Sequence, residues 1–391
     1  MIKFLRKITP RFFIGSYHYI LALIGAVFFF FPSEKLKVIG ITGTSGKSTT
    51  VEMLAKILND AGFKTASLSS IKFRVGEKEE TNKLKMTMPG RFKIQSFLKK
   101  AVKENCRYAV IEVTSQGIEQ FRHKFITFEA AVFTNLSPEH IESHGGFENY
   151  RRAKAKLFRS VKNIHVIKRD DPCSDYFWQI PAKIKIGYGL AEENGILPKT
   201  ELSGHFNQYN MLAAAKTAIA FGVDSETCQK SLENFKTIPG RMEIITENPF
   251  TVVIDYAHTP EQLKQVYSSF KDKNKICVLG SCGGGRDKWK RPEIGKIAKE
   301  FCQKIIITNE DPYDEDPMEI IRQVAEGTEG KAQIILDRKE AIKKALEMAT
   351  PGDAVIITGK GSECWMCVEN GKKIPWDDRE IAKEELLSKR L

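Results

Sequence analysis

The residues best suited to chemistry stand together at Gly43-Thr44-Ser45-Gly46-Lys47-Ser48-Thr49. Glycine at 43 and 46 lets backbone N–H groups close around phosphate oxygens, Lys47 reaches the outer phosphates as a point charge, and the Ser48 hydroxyl suits a Mg²⁺ ion. The apolar run Val38-Ile39-Gly40-Ile41 leads into this stretch and a helical period follows, so the phosphates would also meet a helix N-terminus. A longer phosphate loop carries glycine at position 41, where Ile41 stands, so this is the short Gly-x-x-Gly-Lys-Ser form. The pattern marks a site for ATP or a similar nucleotide and leaves kinase, GTPase, motor and ligase chemistry open.

Two more groups sit where ligands gather. Glu112 and His140 fall at the ends of apolar runs, and open α/β sheets bind ligands beyond the carboxyl ends of their strands. A carboxylate and an imidazole there suit Mg²⁺ on ATP. Cys364 and Cys367 form a CxxC, but no second pair or nearby His completes a zinc site, so two partly buried thiols are expected.

Short β-branched runs alternate with helical-period stretches from Lys37 onward, which predicts βα units around mostly parallel sheets. Strands are expected at 37–42, 108–114, 130–135, 164–168, 251–256, 275–280, 304–308, 333–337 and 353–358. Helices are expected at 47–60, 91–104, 147–161, 206–221, 225–235, 261–271, 291–302, 317–327, 338–349 and 378–389. Pro239-Gly240 breaks the alternation. The chain then divides into a hydrophobic segment 1–36, a central ATP-binding domain 37–240 and a C-terminal Rossmann-like α/β domain 241–391.

Further motifs, in order from residue 37 to 390, resemble those of the Mur ligase family, in particular its muramyl-tripeptide synthetase branch. They include Glu112-Val-Thr114-Ser115, Phe133-Thr-Asn-Leu-Ser-Pro-Glu-His140, Tyr150-Arg-Arg-Ala-Lys154-Ala-Lys-Leu-Phe158 and Gly204-His-Phe-Asn207-Gln-Tyr-Asn210. Pro239-Gly-Arg241-Met-Glu243, Asp255-Tyr-Ala-His-Thr-Pro260, Gly359-Lys-Gly-Ser-Glu363 and Trp376-Asp-Asp-Arg-Glu380 complete the series. The resemblance implies an ATP-dependent ligase that makes an amide bond through an acyl phosphate, adding diaminopimelate, lysine or a similar amino acid to a muramyl-peptide acceptor. It implies that Ser48 and Glu112 hold one Mg²⁺ while His140 and a carbamate on Lys154 hold or support a second. Carbamylation turns a lysine into an anionic oxygen ligand once its pKa has been lowered. Lys156 belongs on nearly the opposite helix face.

By the same resemblance, Asn207 meets the adenine with His205 nearby, Arg241 binds phosphate, Asp255 takes the ribose, and ATP is closed between two domains. Thr87, Thr114 and Ser115 are expected at the acceptor, and Asp311, Tyr313, Gly359 and Glu363 at the incoming amino acid. This chain departs from the family at Gln116 and Ser362, each standing for His, at Met88, standing for Thr, and at Tyr313, standing for Arg. Losing that Arg weakens diaminopimelate and favours lysine or another diamino acid. Only 36 residues precede the first expected strand, too few for the family's UDP-binding domain. The rival readings are a folylpolyglutamate-like ligase and a non-catalytic, membrane-attached ATP-binding partner.

The 391 residues are 42% hydrophobic and 28% charged, enough for two ordinary cores. A net charge of +12 favours anionic partners, but the basic residues are spread along the chain, so no nucleic acid is expected. Eight scattered cysteines point to a reducing compartment, and dependence on ATP to the cytoplasm. Residues 12–31 carry no Asp, Glu, Lys or Arg and end in Phe28–Phe31. Basic residues Lys3, Arg6, Lys7 and Arg11 precede them and the ATP loop follows, so both ends belong on one side of a membrane. An interfacial or re-entrant helix at the inner face of the cytoplasmic membrane is therefore expected.

Overall fold

The computed structural model describes residues 11–84, 86–192, 197–198 and 204–388. These form two compact units: the first takes residues up to Ser137, those from Phe147 to 198 and His205–Phe235, and the second takes Pro138–Gly146, Gly204 and the residues from Lys236 onward.

The first unit opens with helix α1 (Arg11–Phe28), followed by β1 (Lys37–Thr42), α2 (Lys47–Asp60), β2 (Thr65–Leu68), β3 (Lys72–Val75) and β4 (Lys78–Thr81). Then come α3 (Arg91–Lys103), β5 (Tyr108–Glu112), α4 (Ser115–Glu119), β6 (Phe128–Phe133), α5 (Phe147–Ser160), β7 (Ile164–Lys168), α6 (Ser174–Trp178), β8 (Ile184–Tyr188), α7 (His205–Ala220) and α8 (Ser225–Glu233). The sheet order is β4-β3-β2-β5-β1-β6-β7-β8, parallel except for β3 and β4. Val38, Ile39 and Ile41 are fully buried, since helices cover both faces of a parallel sheet and its central strand must be apolar on both sides. Strand β1 lies between β5 and β6, so the chain leaves it at the point where neighbouring connections diverge. Strand β6 begins two residues before the expected run, at Phe128, which pairs with Val38 of β1, and it ends at Phe133 because Thr134 is drawn off to the phosphate loop.

The helix expected over 12–31 runs from Arg11 and stops at Phe28. Phe30 and Phe31 take left-handed φ of 60° and 46°, and Phe31 N–H donates to Ala26 O at 2.9 Å, a helix-closing pattern that Pro32 enforces. Helix α1 packs on α3, with Gly25 against Phe92 and the Tyr19 ring edge-on to Phe121 and Phe125. Among the described residues, no helix is long and apolar enough to cross a membrane.

The second unit contains the single turn Ile141–His144, then β9 (Glu243–Thr246), β10 (Thr251–Asp255), α9 (Pro260–Ser268), β11 (Lys275–Leu279), α10 (Lys290–Phe301), β12 (Lys304–Ile307) and α11 (Pro317–Glu326). It continues with β13 (Ala332–Ile334), α12 (Arg338–Met348), β14 (Ala354–Thr358), the hairpin β15 (Trp365–Cys367) and β16 (Lys373–Pro375), and α13 (Asp378–Ser388). Its sheet runs β13-β12-β11-β14-β10-β9, with only β9 antiparallel. Thr259, Asp316 and Asp337 cap α9, α11 and α12, each accepting from the first turn. Cys277 on β11 and Cys302 after α10 are paired as a disulfide, an exception to the free thiols expected.

Candidate functional site

The phosphate loop hangs between the carboxyl end of β1 and α2. Gly46 is left-handed, with φ 77°, and a Cβ there would lie 2.2 Å from Asn210 Oδ1 on α7, so only glycine fits. The stretch after β6 braces the loop from the other side. Ser45 N–H donates to Asn135 Oδ1 at 2.9 Å, Thr44 N–H to Asn135 O at 2.9 Å, and the Thr134 hydroxyl to Ser45 O at 2.7 Å. Lys47 Nζ lies 2.7 Å from Thr44 O and 3.8 Å from Glu112 Oε1. Thr49 is buried in the first turn of α2.

Glu112, at the end of β5, is 3% exposed and accepts two bonds on one oxygen, from Ser48 Oγ at 2.7 Å and from Ser70 N–H at 3.0 Å. Hydroxyl and carboxylate oxygens in direct contact beside a lysine form a hard donor set that fits Mg²⁺. Among the described residues no three His, Cys, Asp or Glu side chains converge as a metal site of their own.

Lys154 on α5 is buried, its Nζ donating to Gly43 O at 2.7 Å and lying 4.6 Å from the Tyr150 ring centre. Lys156, two residues on, is exposed and pairs with Glu119 at 2.8 Å. The helix thus separates the two lysines, and the buried one touches the phosphate loop. Asn207 is buried within α7 rather than capping it, 3.5 Å from Asn210 Nδ2, while His205 begins the helix and contacts Gln208.

Of the residues expected at the acceptor, Thr114 caps α4 by accepting from Gly117 N–H at 3.1 Å, and Ser115 is buried. Thr87 is half-buried beside Met88, whose sulfur packs on Gly117. Two guanidiniums that the motifs did not flag join them: Arg122 donates to Met88 O and Arg91 to Gln120 O. Burial lowers the pKa of both, and the Arg91 charge lowers that of Arg122 further, so a carboxylate would be welcome beside them.

His140 lies in the second unit, left-handed at φ 56°, with Nε2 3.9 Å from Glu139 Oε1. Glu139 was only a letter in a motif, yet it is 5% exposed and bonded to His258 Nε2 at 2.8 Å. Burial alone would raise its carboxyl pKa, but His140, His258 and Lys290 hold it well below the usual range. Asp255, at the end of β10, accepts from Met242 N–H at 2.7 Å and from Ala257 N–H at 2.6 Å, so both oxygens already brace the backbone. Burial raises its pKa. Arg241 stacks on Tyr256, its Cζ 4.2 Å from the ring centre.

The loops after β12 and β14 meet over a buried ion-pair group. Lys360 Nζ is held by Asp311 Oδ1 at 2.9 Å and by Glu363 Oε2 at 2.5 Å. Burial would lower the Lys360 pKa, but the two carboxylates raise it. Asp311 Oδ1 also accepts from Cys367 N–H at 2.6 Å, and Tyr313 N–H donates to Cys367 O, which ties the CxxC strand β15 to this loop. Tyr313 is left-handed with its ring against Gly284, where a Cβ would lie 2.6 Å from the ring. Gly359 passes so close to the Glu310 carboxylate that no side chain fits. Beneath these loops Arg338 and Asp378 form a two-pronged ion pair at 2.9 and 2.7 Å, both fully buried, and Arg338 also donates to Thr358 O and Asn309 O. Trp376 Nε1 donates to Asp378 at 2.9 Å, so the last sequence motif supports the loops and is not itself at their surface.

Family models match both units, the Mur ligase middle domain over residues 41–201 and the Mur ligase, glutamate ligase domain over 240–361. Such a pairing makes the chain an ATP-dependent ligase that joins an acid to an amino acid. It is 34% identical to the UDP-N-acetylmuramoyl-L-alanyl-D-glutamate–2,6-diaminopimelate ligase of Syntrophomonas wolfei, covering 94% of this chain and 82% of that one. It is 36% identical to the ligase of the same name from Aquifex aeolicus, covering 92% and 79%. A solved structure of a UDP-N-acetylmuramoyl-L-alanyl-D-glutamate–2,6-diaminopimelate ligase superposes with a TM-score of 0.60 at 30% identity over 91% of this chain and 79% of that one. Folylpolyglutamate synthase of Mycobacterium tuberculosis shares the fold, with a TM-score of 0.67 over 87% and 92% of the two chains, at only 15% identity. The chain belongs to the Mur ligase family.

Proposed function

We propose that this enzyme adds a diamino acid of the diaminopimelate or lysine type to a muramyl-peptide acceptor, using ATP and passing through an acyl phosphate. The observation that carries the reading is identity above 30% to diaminopimelate ligases over nearly the whole chain. In this reading an acceptor carboxylate oxygen attacks the γ-phosphorus, the bond to the β-phosphate oxygen breaks, and ADP leaves. Lys47 spreads the charge on the transferred phosphoryl group, and the loop, its shape braced by Asn135, offers its remaining backbone N–H groups to the phosphates. Arg91 and Arg122 position the acceptor carboxylate, with Thr87, Thr114 and Ser115 beside them. The amine of the incoming amino acid then attacks the acyl carbon, phosphate departs and an amide remains.

Ser48 and Glu112 would hold a first Mg²⁺, which supplies charge neutralisation at the phosphates. For a second ion the proposed donors are His140 and a carbamate on the buried Lys154. Arg241 would add phosphate contact, Asn207 adenine contact and Asp255 ribose contact. Asp311, Tyr313, Gly359 and Glu363 would line the amino-acid end, with Lys360 bridging the two carboxylates. ATP dependence places the work in the cytoplasm, and attachment to the inner face of the membrane is part of this reading.

The test is an ADP-release assay that pairs each candidate amino acid with muramyl dipeptide free, linked to UDP or linked to a lipid carrier. Release that needs both an acceptor and a diamino acid supports the proposal. Nucleotide binding without release under any pairing refutes it in favour of a non-catalytic partner.

A further inference from the structure

Helix α1 is turned the wrong way for a soluble protein. Its small residues face inward: Ala22 and Ala26 are 2% and 0% exposed, and Gly25 packs on Phe92. Its large apolar residues face outward: Tyr17 is 60% exposed, Ile20 53%, Ile24 48%, Val27 53% and Phe28 66%. Their spacing of three and four residues makes one continuous stripe along the helix, and Phe30, 77% exposed, extends it past the helix end. A lone exposed Leu or Ile needs no explanation, but a whole helix face of this kind marks a contact surface.

Charge shows what covers it. The first acidic residue of the chain is Glu34, and before it stand Lys3, Arg6, Lys7 and Arg11. Helix α3, against which α1 packs, carries Arg91, Lys93, Lys99, Lys100 and Lys103 with no acid among them. Lys99 lies over the Phe30 ring at 5.5 Å, and Phe92, itself 41% exposed, adjoins Phe28. An apolar stripe bordered by basic side chains matches the layering of a bilayer surface, with acyl chains below and anionic headgroups at the rim. A second copy of this chain would bring the same positive border against itself.

We infer that the outward face of α1, with the basic flank of α3, docks the enzyme flat on an anionic lipid bilayer without crossing it. This gives the membrane attachment read above its contact residues and lipid class. It does not depend on which amino acid is ligated.

The experiment uses the full chain and flotation with vesicles of phosphatidylglycerol and phosphatidylethanolamine, against vesicles of phosphatidylcholine alone. The wild type floats with the anionic vesicles and much less with the neutral ones. Ile20→Gln with Ile24→Gln and Val27→Gln, all on the exposed face, lowers the partition coefficient about tenfold or more while thermal melting and ADP release stay at wild-type level. Lys93→Gln with Lys99→Gln and Lys100→Gln lowers it about fivefold per lysine at low salt. Wild-type protein that stays at the bottom of the gradient with both vesicle types overturns the inference, as does equal flotation of the triple-Gln stripe variant. If sedimentation shows a wild-type dimer that the stripe variant dissolves, and no vesicle binding, the face belongs to a second copy and the inference fails. Because ADP release is read on the same samples, loss of ligase activity and loss of docking are told apart.

Discussion

Replacing Asp378 with Asn tests how far the loops after β12 and β14, proposed to hold the amino acid, depend on one buried charge. Asn keeps the shape, but its single oxygen can serve Arg338 Nε and Trp376 only by leaving an amide NH2 where Oδ2 accepted from Arg338, so the change removes the negative charge and one acceptor. Both partners are fully buried, and breaking such a pair from one side costs about 3–5 kcal/mol because the other charge is left in low dielectric. Burial would lower the Arg338 pKa, whereas Asp378 raises it most and Glu310 and Asp311 add smaller contributions. Those two carboxylates remain in the variant, which places the expected loss near the lower end, about 3 kcal/mol. With a urea m-value of about 2 kcal/mol/M, the unfolding midpoint of the second unit should fall by about 1.5 M. Trp289, Trp365 and Trp376 lie in that unit, so tryptophan fluorescence follows it. Arg338 holds Thr358 O and Asn309 O, the roots of the loops carrying Lys360 and Asp311, so KM for the amino acid should rise. ATP binding to the isolated first step should not change. A midpoint shift below about 0.5 M, worth about 1 kcal/mol, would show that the neighbouring carboxylates suffice to hold Arg338 without Asp378.

Lys47→Ala should cut ADP release by about a thousandfold while the fold survives, and near-normal turnover in a folded variant would remove Lys47 from the phosphate site. Lys154→Ala should lose about a hundredfold in turnover and regain part of it with a short carboxylic acid, whereas exposed Lys156→Ala should be nearly silent; the reverse pattern moves the site to Lys156. Tyr313→Arg should raise the kcat/KM preference for diaminopimelate over lysine by about tenfold, and an unchanged ratio would place selectivity elsewhere. His123, 3% exposed, has its pKa lowered by burial from 6.5 to about 4, so it stays neutral in the fold while the unfolded chain takes up a proton below pH 6.5. Stability should therefore be flat above pH 6.5 and fall by about 3 kcal/mol between there and pH 4. His123→Leu should flatten that stretch in pH-dependent melts, and an unaltered slope would assign it to other groups.

Much of this was legible before any coordinates because it is local. The Gly43–Thr49 loop, its preceding strand and its following helix lie within 37–60, and parallel strands buried on both faces are written as unbroken apolar runs. Edge strands escaped notice: Lys78–Thr81 is exposed throughout and β8 alternates weakly, so neither resembles the apolar runs of the central strands. The short strand Thr65–Leu68 has small polar residues that burial alone made part of a sheet.

By itself, the sequence determined the family, the nucleotide loop and the order of βα units, since each depends on residues close together in the chain. Only tertiary structure decided which motif residues meet. Glu139 and His258 are 119 residues apart, Asp311 and Lys360 are 49 apart, and Arg338 and Asp378 are 40 apart, so no local spacing announces their ion pairs. Tertiary packing also decided that Lys154 is buried and Lys156 exposed on one helix, and that α1 shows its large residues to the outside. A hydrophobic run records that a segment avoids water, but which of its faces is covered depends on the surface it packs against. Here that surface is α3, against which the small residues of α1 are buried while most of the large ones stay outward.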